Sequence, residues 1–374
     1  MLTSSKRRLL LGVGAAGLVA APLAAGLAVR SGMGQGSNAR PAAAGQAGGP
    51  TGAHGGGHGG AGIAGDNLIV GSVNHERNGF DPHAILTDWD VGEVSTDSQG
   101  RKTREWMVVA VDKEIELAPG LMFPAWTFNG RIPGPTLRCT EGERLRVVFN
   151  NGSKHPHTMH FHGIHSWRMD GVPYAGLVQP GERFVYEFDA KPFGCHLYHC
   201  HALPLKRHIH KGMYGAFIID PDPARHPEAA TVAESRLLGS ARNAEWQEIM
   251  ICMNAFDTNF DDENEIYAAN TIPFAYQQKP IRVERGRKLR IYLVNITEFD
   301  PINSFHVHGN FFDYYDHGTT LTPTSRIVDT IMQCQGQRGI IEMDWSEHEP
   351  GIYMFHAHQS EFAELGWMSH FEVV

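Results

Sequence analysis

The stretches HTMHFHG at 157–163 and HCHALPLKRHIHKGM at 199–213 decide how this chain is read. Two more pairs of the same form follow, HVHG at 306–309 and HAH at 356–358. Along a β-strand, side chains at i and i+2 share a face and the residue between them points the other way. An H-x-H strand therefore aims two imidazoles at one place. In 199–201 the residue facing the opposite side is Cys200. His199 and His201 can serve one centre while Cys200 serves another behind the strand. Two short covalent routes then join the centres.

Imidazole and thiolate suit copper, and a blue electron-transfer copper takes two histidines, one cysteine and a weak axial methionine. Downstream of Cys200, the spacing C-x7-H-x4-M supplies His208 and Met213. Upstream, His157 lies three residues before His160 and so on the opposite strand face. The set His157, Cys200, His208 and Met213 closes a site. His196 and His210 compete with His208 for its place and rank behind it. One H-x-H pair is usually two ordinary histidines. Four in order, in two halves, with a cysteine inside one, form a metal constellation.

By motif order and spacing, residues 66–374 resemble the two-domain multicopper oxidases of the bacterial laccase-like group. That resemblance implies an all-β chain of two cupredoxin-like Greek-key β-sandwich domains. It implies a type 2 copper on His160 and His306. It implies a type 3 pair on His162, His199, His201, His308, His356 and His358. With one type 1 copper, each subunit equivalent then holds one type 1, one type 2 and two type 3 ions. The implied activity is one-electron oxidation of a donor, with four electrons passing through Cys200 to reduce O2 to water. A homotrimer is also implied, each three-copper centre lying between domain one of one subunit and domain two of the next. Asp170, in DGVP, resembles the acidic residue that relatives use to supply protons. Its other reading is a turn aspartate before Gly171. Glu361 and Glu364 are weaker candidates for that role.

Domain two departs from the blue-copper pattern. Ala357 stands between its second histidine pair and Asn303 in the place of His157. Phe362 and Trp367 stand where the other two ligands are expected. Only domain one should hold a type 1 copper. The competing function is a copper-containing nitrite reductase, which shares the two-domain trimeric plan. That enzyme needs one catalytic copper with three histidines and no imidazole after the cysteine, so His201 discriminates. A non-catalytic copper store would need no blue site wired to a cluster.

The remaining sequence fits an exported two-domain protein. SSKRRLLL opens the chain, with Arg7 and Arg8 paired before a Gly/Ala-rich apolar run, so residues 1–30 resemble a twin-arginine signal. The other reading of that run is a membrane anchor. We expect a periplasmic or extracellular protein with no stable membrane insertion after signal cleavage. Residues 31–65 read as a Gly/Ala-rich flexible linker, with His54 and His58 inside it. Residues 66–105 read as an ordered arm over the first domain. Domain one is expected at 106–223, a linker at 224–245 and domain two at 246–374. A weak repeat, TLRCTEGERLRVVFNN at 136–151 and PIRVERGRKLRIYLVN at 280–295, marks the duplication. A net charge of −9 and the lack of any nucleic-acid motif exclude nucleic acid as a partner. Besides Cys200 there are Cys139, Cys195, Cys252 and Cys334, and nothing in the sequence pairs them. The donor stays open among phenols, aromatic amines, metal ions and a small redox protein.

Overall fold

The computed structural model describes residues 62–64, 68–227 and 246–374. The leader at 1–30, His54, His58 and most of the expected 224–245 linker lie outside the described residues. Among the described residues, no helix is long and apolar enough to cross a membrane.

Alternating burial, with Leu145, Val147 and Phe149 turned inward, makes Arg144–Asn151 a half-buried strand. It pairs in parallel with Lys102–Ala118 and antiparallel with Arg183–Asp189. Glu93–Thr96 and Leu121–Phe128 complete that sheet. The facing sheet runs Trp89–Asp90, Thr136–Thr140, Tyr214–Asp220, Gly194–His199 and His160–Phe161. Leu145, Val147 and Phe149 of the first sheet meet Leu137, Phe217 and Ile219 of the second in one core.

Domain two repeats the plan. One sheet centres on Trp246–Phe256, Lys288–Asn295 and Arg338–Met343. The other runs Ile281–Val283, Met368–Val373, Gly351–His356, Ile302–Val307 and Thr330–Cys334. The repeat seen in the sequence is a strand, a turn and a second strand in each domain. The first of these strands pairs in parallel with the last strand of its own sheet in both domains. The fold is all-β, built of two cupredoxin-like sandwiches.

The domains meet sheet against sheet. Cys195, Leu197 and Ile218 pack with Cys252, Tyr292, Val294 and Ile340. Arg138 crosses this layer, 2.9 Å from Asp220 and 3.0 Å from Glu248. Glu248 also takes Arg290 at 2.9 Å. A charge buried here would be costly alone, so the pairs fix how the sheets register. All five cysteines are free thiols.

Residues 68–105, within the expected arm, show two features that the sequence did not give. They contain strand: Glu93–Thr96 is exposed at every residue, so it lacks the apolar alternation that announces a strand. The long strand starts at Lys102 rather than Trp106. The arm also touches both domains. Asn78 Oδ1 accepts from the Glu116 amide of domain one at 2.9 Å. The Pro82 carbonyl accepts from the Tyr276 hydroxyl of domain two at 2.6 Å, and that of Leu86 from the Met250 amide at 2.9 Å.

Candidate metal centres

Strand pairing brings the histidines together. His160 lies directly opposite His199 in one ladder, and His306 opposite His356 in the other. The period of two then continues His162 and His201, or His308 and His358, onto the same face. The His160 ring centre is 5.2 Å from those of His162 and His199 and 5.4 Å from that of His201. In domain two the matching distances from His306 are 5.0, 5.3 and 5.2 Å, to His308, His356 and His358. Nε2 atoms of His162 and His199 are 3.2 Å apart, and those of His308 and His356 2.9 Å.

Backbone carbonyls orient four of these rings. Nδ1–H of His160 donates to Asp170 at 2.6 Å, of His199 to Cys200 at 3.0 Å, of His356 to Ala357 at 2.6 Å and of His306 to Asp329 at 3.0 Å. A neutral ring donating from Nδ1 keeps a lone pair on Nε2 for a metal. Burial holds the His199 pKa down to about 3 and that of His162 to about 2. Both rings are therefore neutral, the form that binds metal. A cavity of about 540 Å³ opens beside the domain-one quartet, with Ile296, His317 and Gln335 of domain two in its wall. Among the described residues, no hydrogen bond or ring contact joins one quartet to the other. In domain two, His308 and His358 are exposed.

Behind the strand sits Cys200. Its Sγ is 3.2 Å from His208 Nδ1 and 3.7 Å from His157 Nδ1, and the two nitrogens are 3.1 Å apart. All three residues are buried, as is Met213. The Met213 carbonyl accepts from the Cys200 amide at 2.9 Å, and its amide donates to the His208 carbonyl at 3.2 Å. The short helix Leu205–His210 carries His208 to this place. Burial pushes the Cys200 thiol up to about 11, against amides of Thr158 and Ala202 that favour the thiolate. Burial also lowers His157 to about 3 and His208 to about 4. His210 instead bonds the Asp257 carbonyl at 3.0 Å through Nε2, and His196 that of Pro192 at 2.9 Å. Neither reaches Cys200, so His208 is the histidine at this site.

The same frame in domain two carries no donors. Ala357 N–H donates to the Trp367 carbonyl at 3.2 Å, and Trp367 N–H to that of Phe362 at 2.8 Å. These bonds match those of Cys200, Met213 and His208 one for one. Phe362 stacks on Tyr267 with ring centres 4.0 Å apart, and Trp367 is fully buried. Asn303 Nδ2 bonds Thr297 Oγ1 at 2.9 Å.

Asp170 closes the short 3-10 helix Trp167–Met169. Its Oδ1 lies 3.3 Å from His160 Nδ1 and 3.9 Å from His165 Nε2. Gly171 follows at φ 68°, where a Cβ would stand 2.0 Å from the Met159 carbonyl oxygen. The turn and the carboxylate position are thus one feature. Glu361 and Glu364 are exposed on a separate helix.

Four residues at these centres carried no sequence argument. Thr158 Oγ1 accepts from the His201 amide at 2.7 Å, and Ser304 Oγ from that of His358 at 2.7 Å. A hydroxyl residue two places before each first H-x-H pair was the available signal. Arg338 reaches from domain two to put Nη1 3.2 Å from His162 Nδ1. Trp126 sets its ring 4.8 Å from that of His208 and 5.6 Å from that of His157. No spacing rule points to either of these.

Two multicopper oxidase family models match the chain, over residues 111–224 and 247–374. A solved multicopper oxidase structure is 51% identical, covering 81% of this chain and 100% of its own, with a TM-score of 0.74. The chain belongs to the multicopper oxidases, copper-dependent oxidoreductases. The blue copper oxidase of Nitrosomonas europaea is 26% identical over 72% of this chain and 86% of its own, at a TM-score of 0.60. A copper-containing nitrite reductase of Neisseria meningitidis is 27% identical over 253 residues, 65% of this chain. The chain spans 62% of that relative's length.

Proposed function

We propose that this protein is a laccase-like oxidase that couples one-electron oxidation of a reducing donor to reduction of O2 to water. The observation that carries this reading is the retained His201, which completes a domain-one quartet matched by a second quartet in domain two. The donors fit copper. Imidazole nitrogens and the thiol sulfur crowd to 2.9–3.7 Å, and the buried His201 Nδ1 has no hydrogen-bond partner.

We assign His157, Cys200, His208 and Met213 to a type 1 site. His160 and His306 take the type 2 ion, and His162, His199, His201, His308, His356 and His358 the type 3 pair. Copper so held supplies single-electron transfer and four-electron reduction of O2. The chain's part begins with Cys200, whose backbone links the two sites through His199 and His201. Asp170 sets its carboxyl 3.3 Å from His160, placed to pass protons toward that centre. Each quartet supplies half of the ligands, and the exposed His308 and His358 fit completion by another copy in a homotrimer. Ile164 and Trp167 near one quartet and Phe311 near the other are exposed apolar groups suited to such a contact. The donor is a phenol, an aromatic amine or a metal ion, and the leader fits export to the periplasm or beyond.

The nitrite reductase relatives support a second reading, nitrite reduction on the same scaffold. Copper analysis with O2 uptake and nitrite consumption on one preparation separates them. About four coppers per chain and O2 uptake with a phenol support the oxidase. Nitrite turnover without O2 uptake overturns it.

A further inference from the structure

We propose that the surface beside His208, formed by Trp126, His155, Arg207, Lys211 and Phe260, is a docking site for a small anionic aromatic electron donor. The proposal rests on the type 1 assignment above and names the donor class for that site. Trp126 is its floor. Its ring centre lies 4.8 Å from that of His208 and 4.4 Å from that of the exposed His155. A flat donor seated on these two rings stands one indole from a Cys200 ligand, and aromatic rings favour such offset or tilted contacts.

Two cations border this floor. Lys211 Nζ lies 5.7 Å from the Trp126 ring centre and 4.7 Å from that of Phe260, a domain-two residue exposed at the edge. Arg207, the residue before His208, holds its guanidinium 5.4 Å from the same Phe260 ring. Among the described residues neither cation has an ion-pair partner within 4.0 Å, whereas Lys206 beside them is tied to Asp262 at 2.5 Å. Lys211 Nζ donates to the Pro124 carbonyl at 2.5 Å, and Asp112, which acts on it electrostatically, has one oxygen engaged by the Lys154 amide at 3.0 Å. Positive charge held over aromatic faces, near Asp262 and Asp112 but ion-paired to neither, suits a sulfonate or carboxylate on an aromatic ring. An uncharged phenol can use the same floor without the border, and a cationic amine meets repulsion.

The test uses the full copper-loaded protein and a probe that it does not oxidise, 2-naphthalenesulfonate. Calorimetry should show binding that weakens about fivefold in Lys211→Gln and again in Arg207→Gln, and weakens with added salt. Trp126→Leu should weaken it further. In steady state, Lys211→Gln should raise KM for a sulfonated phenol about fivefold more than KM for the uncharged phenol, with kcat for both falling by the same factor. Blue absorption in each variant certifies the type 1 site. Loss of blue colour in Cys200→Ser together with undiminished probe binding in both charge variants overturns the docking site and spares the function. A wild-type protein that is not blue overturns the type 1 assignment itself. Equal KM changes for the two phenols also sink the charge argument.

Discussion

Domains one and two hold the same two backbone hydrogen bonds around one position and fill it with opposite chemistry. His157, Cys200 and His208 gather donor atoms in domain one, with Met213 buried behind the same bonds. Ala357, Phe362 and Trp367 pack that place in domain two with hydrocarbon. The hydroxyl supports, Thr158 and Ser304, survive in both domains. The scaffold is therefore indifferent to whether the pocket carries a metal. Ligation is set by a few side chains, and where it is lost, packing takes over the job of filling the interior.

The sharpest way to break this comparison is Cys200→Ser. It should eliminate the blue absorption and O2 uptake while the histidine quartets keep their copper, because serine is a poor substitute for a soft thiolate. A mutant that remains blue refutes the ligand set. His201→Ala should do the reverse: absorption stays and O2 consumption disappears. Undiminished O2 uptake in that variant, once loaded with copper, moves the reading to nitrite reduction.

Next comes the packing side. Trp367→Ala should cost about 3–5 kcal/mol in denaturant unfolding of the metal-free chain, since a fully buried indole leaves a cavity. Met213→Leu, at the matching position, should cost less than about 1.5 kcal/mol there, because volume and apolar character are kept. Equal losses would mean that the two positions are not counterparts.

Acid provides a smaller contrast. Burial lowers His157 to about 3 and His208 to about 4 in the folded chain, from an unfolded value near 6.5. Above about 6.5 both states are neutral. As pH falls below that, the unfolded chain takes up protons that the fold refuses, so stability is lost down to about pH 3–4. The melting temperature of the metal-free protein should thus be lower at pH 5 than at pH 7.5. Domain two contributes less to the drop, since His308 and His356 are shifted the same way but less enclosed. The smallest change is Asp170→Asn, which should slow turnover more than it lowers copper content. Wild-type rates across pH would leave Asp170 a turn residue.

Much of this was legible because metal chemistry writes itself at period two. His160, His162, His199 and His201 could be assigned to one face, and Cys200 to the other, from spacing alone. The silence of domain two was also readable, from Asn303, Ala357, Phe362 and Trp367. The choice of His208 over His196 and His210 was not a matter of period, since it depends on the helix Leu205–His210 and on the carbonyls that claim the other two rings. Trp126 and Arg338 escaped notice because contacts between distant segments leave no local pattern. The exposed strand Glu93–Thr96 escaped because a strand held by backbone bonds alone has no apolar signature.

The domain-two quartet has a practical side. Four imidazoles in two i,i+2 pairs, with His308 and His358 open to solvent, amount to a built-in affinity tag. The untagged chain should be retained on immobilised nickel and released by imidazole. The same openness invites mismetallation, since stray zinc or nickel can settle there before copper does.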